Sequence, residues 1–174
     1  MILQTDRLLL RDFTEGDAAF MLTLFNDPAF HRFIGDKGVR TEEAAREYLT
    51  TYYISSYALH GFGPYCVILK KSGAPIGMCG ILQRPWLPDP DIGYAFLPDY
   101  RGRGYAAEAG RAVVQYAQEV VGLPRLVAII DNENQDSIKL IGSLGFTFEA
   151  MVRETADKPE LALFSLRNPA GNTP

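Results

Sequence analysis

Between Asp91 and Ala109 the chain passes from an apolar run, Ile92-Gly93-Tyr94-Ala95-Phe96-Leu97, through Pro98-Asp99-Tyr100 into Arg101-Gly102-Arg103-Gly104-Tyr105-Ala106-Ala107. This order predicts a strand, a glycine-rich turn and a helix start. Gly102 and Gly104 remove side chains where the backbone bends, so successive N–H groups can point into one cavity at the positive end of the following helix. Such a cavity suits a phosphate. Arg101 and Arg103 add two fixed positive charges beside it, which favours a diphosphate over a lone carboxylate. Without a ligand the same residues make an ordinary tight turn with solvent-facing arginines.

A chain of 174 residues, 47% hydrophobic and 22% charged, holds one well-cored domain and shows no second compositional regime, so a single domain over 1–174 is expected. The formal net charge of -4 offers no overall basic field to draw it to nucleic acid or an anionic membrane. No apolar run reaches bilayer-spanning length, and Met1-Ile2-Leu3-Gln4-Thr5-Asp6-Arg7 lacks the layout of a signal peptide, so a cytoplasmic protein is expected. Cys66 and Cys79 sit in apolar runs and read as buried small hydrophobes rather than a disulfide. His31 and His60 have no companions at metal-ligand spacing, and no metal is expected.

Leu8-Leu9-Leu10 predicts a strand. Thr14-Glu15-Gly16-Asp17, ahead of Ala18, Met21, Leu22 and Phe25, resembles a capping box opening a helix that ends at Asn26-Asp27-Pro28. Residues 29–38 read as irregular. Thr41, with Glu42 and Glu43 behind it, opens a second helix that stops before Gly61. Residues 65–69 and 76–82 form a hairpin, and 84–90, with three prolines and Trp86, form a loop. The helix from Gly104 sets Ala106, Gly110, Val113, Ala117 and Val120 on one stripe of mostly small residues, which can lie close against a sheet. Residues 126–130 predict a buried strand, 134–144 a short helix stopped by Gly145, 146–152 and 161–166 two final strands, and 168–174 a frayed end.

The run Arg101-Gly102-Arg103-Gly104-Tyr105-Ala106 resembles the coenzyme A pyrophosphate loop, Q/R-x-x-G-x-G/A, of the GNAT superfamily of N-acetyltransferases. The order of elements matches that family, and Asn134-Gln135-Asp136-Ser137-Ile138-Lys139-Leu140 leading to Leu144-Gly145-Phe146 is similar to its second cofactor motif. Thr5-Asp6-Arg7-Leu8-Leu9-Leu10-Arg11, followed by Asp17, resembles the branch that acetylates ribosomal-protein N-termini. The resemblance spans about residues 5–166. It implies an α/β (α+β) fold: a mixed, mostly antiparallel sheet of six to seven strands with a splayed central strand pair, and about four helices. A dinucleotide-binding Rossmann unit is the competing reading, since Gly102, Gly104 and Ala107 satisfy G-x-G-x-x-A and Asp131 ends a later strand. That fingerprint normally begins its sheet, and too little chain follows Asp131 to complete one. A third reading is a module that binds an acyl-CoA without turnover.

The resemblance implies direct transfer of an acetyl group from acetyl-CoA to a primary amine, such as a protein N-terminus, and leaves small-molecule amines open. It assigns main-chain contacts with the pantetheine arm and thioester to Ala95, Phe96 and Leu97, pyrophosphate contacts to residues 101–106, and cofactor holding to Asn134 and Ser137. Asp91 stands where many members carry a carboxylate before the central strand, and it could draw a proton from the acceptor ammonium through water or serve as a turn residue. At the position where the family often carries a tyrosine acid this chain has Ile141, which has no proton to give. Ser137, one helical turn earlier, is the nearest hydroxyl for the departing sulfur, and as a serine near a helix start it could instead bond the backbone. Glu108 reads as structural or solvent-facing, His31 as a surface residue, and Phe30, Phe33, Tyr53 and Trp86 as walls of an acceptor groove or, equally, as core packing. Either a monomer or a homodimer fits these readings.

Overall fold

Eight strands, β1 (Ile2–Gln4), β2 (Leu8–Asp12), β3 (Pro64–Leu69), β4 (Ala74–Leu82), β5 (Asp91–Phe96), β6 (Arg125–Ile130), β7 (Thr147–Val152) and β8 (Leu161–Arg167), form one sheet in the computed structural model, which describes residues 2–169. The strand order is β1-β2-β3-β4-β5-β6-β8-β7. Every neighbouring pair is antiparallel except β5 and β6. A Rossmann unit needs successive parallel crossovers, so this topology removes that reading. From residue 170 onward, the frayed end expected from the sequence lies outside the described residues.

The mixed, mostly antiparallel fold agrees with expectation, with two additions. Strand β1 was not foreseen, because three residues are too few to show a two-residue period. The second is a helix where residues 29–38 read as irregular: Pro28–Phe33 is helical, with the Asp27 carboxylate accepting the Phe30 N–H at its start. Pro28 does end the preceding helix, but it also stands at the first helical position of the next, where its missing N–H costs nothing. The helices are thus α1 (Ala18–Phe25), α2 (Pro28–Phe33), α3 (Glu42–Tyr48), α4 (Ser55–His60), α5 (Tyr105–Glu119) and α6 (Gln135–Ser143). A π-helical segment, Leu49–Ile54, joins α3 to α4 in one rod that Gly61 ends with φ +75°.

The two larger apolar clusters lie on opposite faces of the sheet. In β3, Tyr65 and Val67 face one cluster while Cys66 and Ile68 face the other, which is why this strand reads as continuously apolar. α5 covers the first face with Ala109, Gly110, Val113, Val114, Tyr116 and Ala117. A Cβ on Gly110 would meet Leu144 Cδ1 at 2.8 Å, so the small residue is what lets the end of α6 approach. Val120, expected on the buried stripe, is 68% exposed, because the helix ends one residue earlier. Both cysteines are free and buried, and burial pushes the Cys66 thiol up to about 12.

The parallel seam is the feature that makes a site. β5 and β6 pair at Asp91 and Val127, where the Val127 N–H donates to the Pro90 carbonyl at 3.0 Å, and beyond that pair they part. This is the splayed central pair expected above. The opening runs into a cleft of ≈ 1170 Å³, walled by α2, the β4–β5 loop, the glycine turn before α5 and the start of α6. Among the described residues no helix is long and apolar enough to cross a membrane, and no group of three or more His, Cys, Asp or Glu could hold a metal ion.

Candidate active site

At one end of the cleft the glycine turn behaves as its sequence requires. Gly102 and Gly104 have φ of +69° and +80°, a region that side chains disfavour. Gly104 is the N-cap of α5, and the first helical bond runs from the Glu108 N–H to its carbonyl at 3.1 Å. The N–H groups of Tyr105, Ala106 and Ala107 therefore have no acceptor within the helix, and they face the cleft at its positive end. A Cβ on Gly104 would come within 3.3 Å of Arg7 Nη2, so the open backbone there borders a guanidinium.

Arg7 was quoted above only as part of an opening motif. Its Nε donates to Glu108 Oε2 at 2.6 Å, its N–H to Oε1 at 2.9 Å, and its Nη1 to the Arg103 carbonyl at 3.0 Å, while its guanidinium stacks 4.5 Å from the Tyr105 ring centroid. Thr5 Oγ1 completes the set on Glu108. Burial opposes the ionised Glu108, but the bonds from Thr5 and Arg7 outweigh it and hold its carboxyl below the usual range. Of the two readings offered for Glu108, structural or solvent-facing, these bonds favour the structural one, and what it anchors is the cradle.

The two loop arginines divide. Arg103 is exposed beside the cradle. Arg101, expected to add a free positive charge there, instead donates from Nε to the Phe96 carbonyl at 2.8 Å and from Nη2 to the Asp27 carboxylate. Asp27 also caps α2. The ion pair neutralises Arg101 and ties the cradle to α2.

Main-chain direction along β5 can be read from its bonds. The Leu97 N–H donates to the Ile76 carbonyl at 2.9 Å, so the antiparallel alternation points the main-chain groups of Leu97 and Ala95 toward β4. Those of Phe96 and Tyr94 face the opening. Of Ala95, Phe96 and Leu97, the positions expected to offer main-chain contacts, only Phe96 turns its main chain to the opening, and Tyr94, two residues earlier, does the same. With the Phe96 carbonyl held by Arg101, the Phe96 and Tyr94 N–H groups are the donors presented to the cleft.

The start of α6 supplies the opposite wall. Asn134 accepts the Ser137 N–H at 3.2 Å and caps the helix itself, so the Ser137 hydroxyl is not needed for that purpose. Ser137 Oγ lies 2.7 Å from the Tyr94 phenol oxygen, which also reaches the Ser137 carbonyl at 3.3 Å. Burial pushes the Tyr94 phenol well above its ordinary value, against the opposing effect of the Ser137 bond, so it keeps its proton at neutral pH. Ile141 is fully buried in the core. Tyr94 escaped the sequence reading because an aromatic in an apolar strand looks like packing.

Asp91, read from the sequence as a proton acceptor or a turn residue, is held in a buried ion pair. It is 1% exposed, and Arg84 Nε lies 2.9 and 3.0 Å from its two oxygens. Burial raises its pKa and the Arg84 charge opposes that rise. Of the proposed groove aromatics, Phe30 and Tyr53 are core residues that only edge the cleft, whereas Phe33 and Trp86 are half-buried walls. His31 is half-buried rather than a surface residue, with its Nε2 3.7 Å from Asp36.

The backbone donors at the cradle and along Phe96 and Tyr94 suit an extended ligand with a diphosphate at one end and amides along its arm. Comparison with known proteins gives that ligand a name. Residues 7–147 match the profile of the acetyltransferase (GNAT) domain. The uncharacterized N-acetyltransferase YoaA of Bacillus subtilis is 28% identical over 155 residues, covering 88% of this chain and 86% of that protein. The fold is similar to ribosomal-protein-S5-alanine acetyltransferase from Vibrio fischeri, with TM-score 0.82 at 18% identity over 99% of this chain and 100% of that one. It is also similar to spermidine N-acetyltransferase from Vibrio cholerae in complex with CoA and spermine, with TM-score 0.79 at 15% identity over 97% of this chain and 100% of that one. The chain therefore belongs to the GNAT family of N-acetyltransferases, enzymes that draw the acetyl group from acetyl-CoA.

Proposed function

We propose that the acceptor is the α-amino group of a protein or peptide N-terminus. The observation that carries this reading is the Arg84–Asp91 pair: the carboxylate at the start of β5 is engaged through both oxygens, so no unpaired base stands there. An α-amine, with an ordinary pKa of about 8, is partly neutral at physiological pH, whereas a lysine or polyamine nitrogen, at about 10, depends on a base to lose its proton. A cleft of ≈ 1170 Å³ also exceeds the usual small-molecule pocket of about 300–1,000 Å³, leaving room for an acceptor chain beside a cofactor arm. The S5-alanine acetyltransferase has the same fold and acts on a protein; the spermidine enzyme keeps a small-molecule acceptor as the competing reading.

In this reading acetyl-CoA brings an activated acetyl thioester, and the chain supplies position and protons. Tyr105, Ala106 and Ala107, with Arg103 and Arg7 beside them, hold the diphosphate. The Phe96 N–H meets the pantetheine arm, the Tyr94 N–H polarises the thioester carbonyl, and Ser137 Oγ gives a hydrogen bond or proton to the departing sulfur. Asp91 holds Arg84. The test is a panel of amines with acetyl-CoA: peptides of varied first residue, N-blocked peptides bearing lysine, and polyamines, followed by release of free coenzyme A. Turnover on free peptide N-termini is expected. Turnover confined to polyamines or lysine side chains removes the proposal.

A further inference from the structure

Charge at the acceptor end of the cleft is unevenly paired. Arg32 reaches Glu133 at 3.2 Å. Asp36 takes Arg40 through both oxygens, at 2.9 and 2.5 Å, and has His31 3.7 Å away. Asp91 takes only the Nε of Arg84, so the two terminal nitrogens of that guanidinium have no hydrogen-bonding acceptor among the described residues. Lys37, half-buried in the same wall, has neither an ion pair nor a hydrogen bond among the described residues. Its pKa is lowered, first by burial and then by repulsion from Arg84; Glu154, on the exposed β7–β8 loop, opposes both and does not cancel them. Two cations thus face the acceptor space from different elements, the segment after α2 and the β4–β5 loop. An arriving anion would relieve their repulsion and Lys37's desolvation together.

We infer that Lys37 and the terminal nitrogens of Arg84 form an anion subsite, and that the acetylated N-terminus carries an acidic side chain at its second or third residue. The position follows from spacing. The Tyr94 N–H and Ser137 mark the reacting centre, and Asp91, which holds Arg84, stands three residues earlier on β5, about 10 Å along an extended strand. One residue of extended acceptor spans at most about 3.3–3.6 Å, so a side-chain carboxylate on its second or third residue reaches that far. Arg84 presents a planar fork suited to a carboxylate, and Lys37 a point charge beside it. A polyamine would bring cations to the same wall. The inference rests on the peptide reading of the acceptor and narrows it.

The experiment uses three pentapeptides with a common first residue and Glu, Gln or Lys at both the second and third positions. With acetyl-CoA at low salt, the Glu peptide is expected to exceed the Lys peptide in kcat/KM by about tenfold or more, a ratio that shrinks as salt is added. In Lys37→Gln the ratio should fall below about threefold, and Lys37→Arg should restore it, which separates lost charge from misfolding. Equal kcat/KM for the three peptides overturns the subsite while leaving N-terminal acetylation standing. If none is acetylated, calorimetric binding of the same peptides in the presence of coenzyme A decides. Preference for the Glu peptide keeps the subsite and removes the peptide N-terminus as the acetylated group, and absence of preference overturns both.

Discussion

The phenol oxygen of Tyr94 and the hydroxyl of Ser137 stand 2.7 Å apart, joining the central strand to the start of α6 across the opening between β5 and β6. Each comes from a different side of the splay, so their bond ties the two walls of the cleft together. With Asn134 capping the helix, the Ser137 hydroxyl is left to the phenol and the cleft, and in the proposed mechanism it would give its proton to the departing sulfur while the protonated phenol replaces it. Ser137→Ala is expected to lower turnover about tenfold to a hundredfold with acetyl-CoA affinity little changed, toward the low end of general-acid effects because an alkyl thiolate leaves readily. Tyr94→Phe removes the short bond to Ser137 Oγ, worth about 0.5–1.5 kcal/mol, together with the longer contact to the Ser137 carbonyl, so a loss of at least roughly twofold to tenfold is expected. Because the pair acts as a unit, the double variant should fall well short of the product of the two losses. Full turnover in Ser137→Ala, or multiplicative losses in the double variant, would falsify the pairing as a catalytic device.

Asp91→Asn separates two roles by pH. If Asp91 serves only to hold Arg84, the variant loses the same factor at every pH. If it also accepts the acceptor's proton, the loss widens as pH falls below the amine's pKa, where deprotonation is needed, and narrows above it, where the amine is already neutral. The buried pair favours the flat profile. A pH-rate profile of kcat/KM from about pH 6 to 9.5, bracketing an α-amine pKa of about 8, decides between them.

What could be read from the chain alone follows the range of the interactions. The cradle was legible because its demands are local: two positive-φ glycines followed by a helix start leave few alternatives. The place of Ser137 at the cleft was legible for the same reason, since it sits one turn into a capped helix. Arg101 was misjudged, since its partner Asp27 lies 74 residues earlier, and no spacing rule connects a loop arginine to the cap of a distant helix. Arg84 and Lys37 meet at the cleft through tertiary packing alone. The burial of Asp91 was not legible, because it depends on the parallel seam with β6, which a strand's own sequence does not announce. Helix α2 was hidden by its six-residue length and by a proline that ends one helix while starting another.

Glu108 should prove to be a cofactor-affinity residue that never touches the cofactor. It receives Thr5, the Arg7 main chain and the Arg7 guanidinium, and Arg7 in turn borders Gly104 and stacks on Tyr105. Glu108→Gln is expected to weaken acetyl-CoA binding about threefold to tenfold. Because the Arg7 side chain is 45% exposed, the cost to stability is expected to stay near 1 kcal/mol. Since the folded carboxyl titrates below its ordinary value of 4.5, this contribution is complete above that pH and is lost as pH falls through the folded value. Thermal melts of parent and variant should therefore differ at pH 7 and converge in strong acid. Equal melting temperatures at pH 7 together with unchanged affinity would show that the Arg7 bridge is incidental.

Gly104→Val tests the cradle itself. At φ +80° a β-branched residue is strained by about 1–3 kcal/mol, and its Cβ would press within 3.3 Å of the Arg7 guanidinium while its methyl groups fill the space before the Tyr105 and Ala106 N–H groups. The variant should fold with a lowered melting temperature, because the strain is confined to one exposed turn. Acetyl-CoA raises the melting temperature of any protein that binds it in the folded state, by an amount set by concentration over Kd. The parent is expected to show that rise with acetyl-CoA, to show competition by coenzyme A, and to show nothing with NADH. In Gly104→Val the rise should disappear at the same ligand concentration, while a variant at Gly122, also at positive φ but outside the cleft, should lose stability and keep the rise. If Gly104→Val is stabilised by acetyl-CoA as strongly as the parent, the diphosphate does not sit on this turn, and the donors at the start of α5 hold something else.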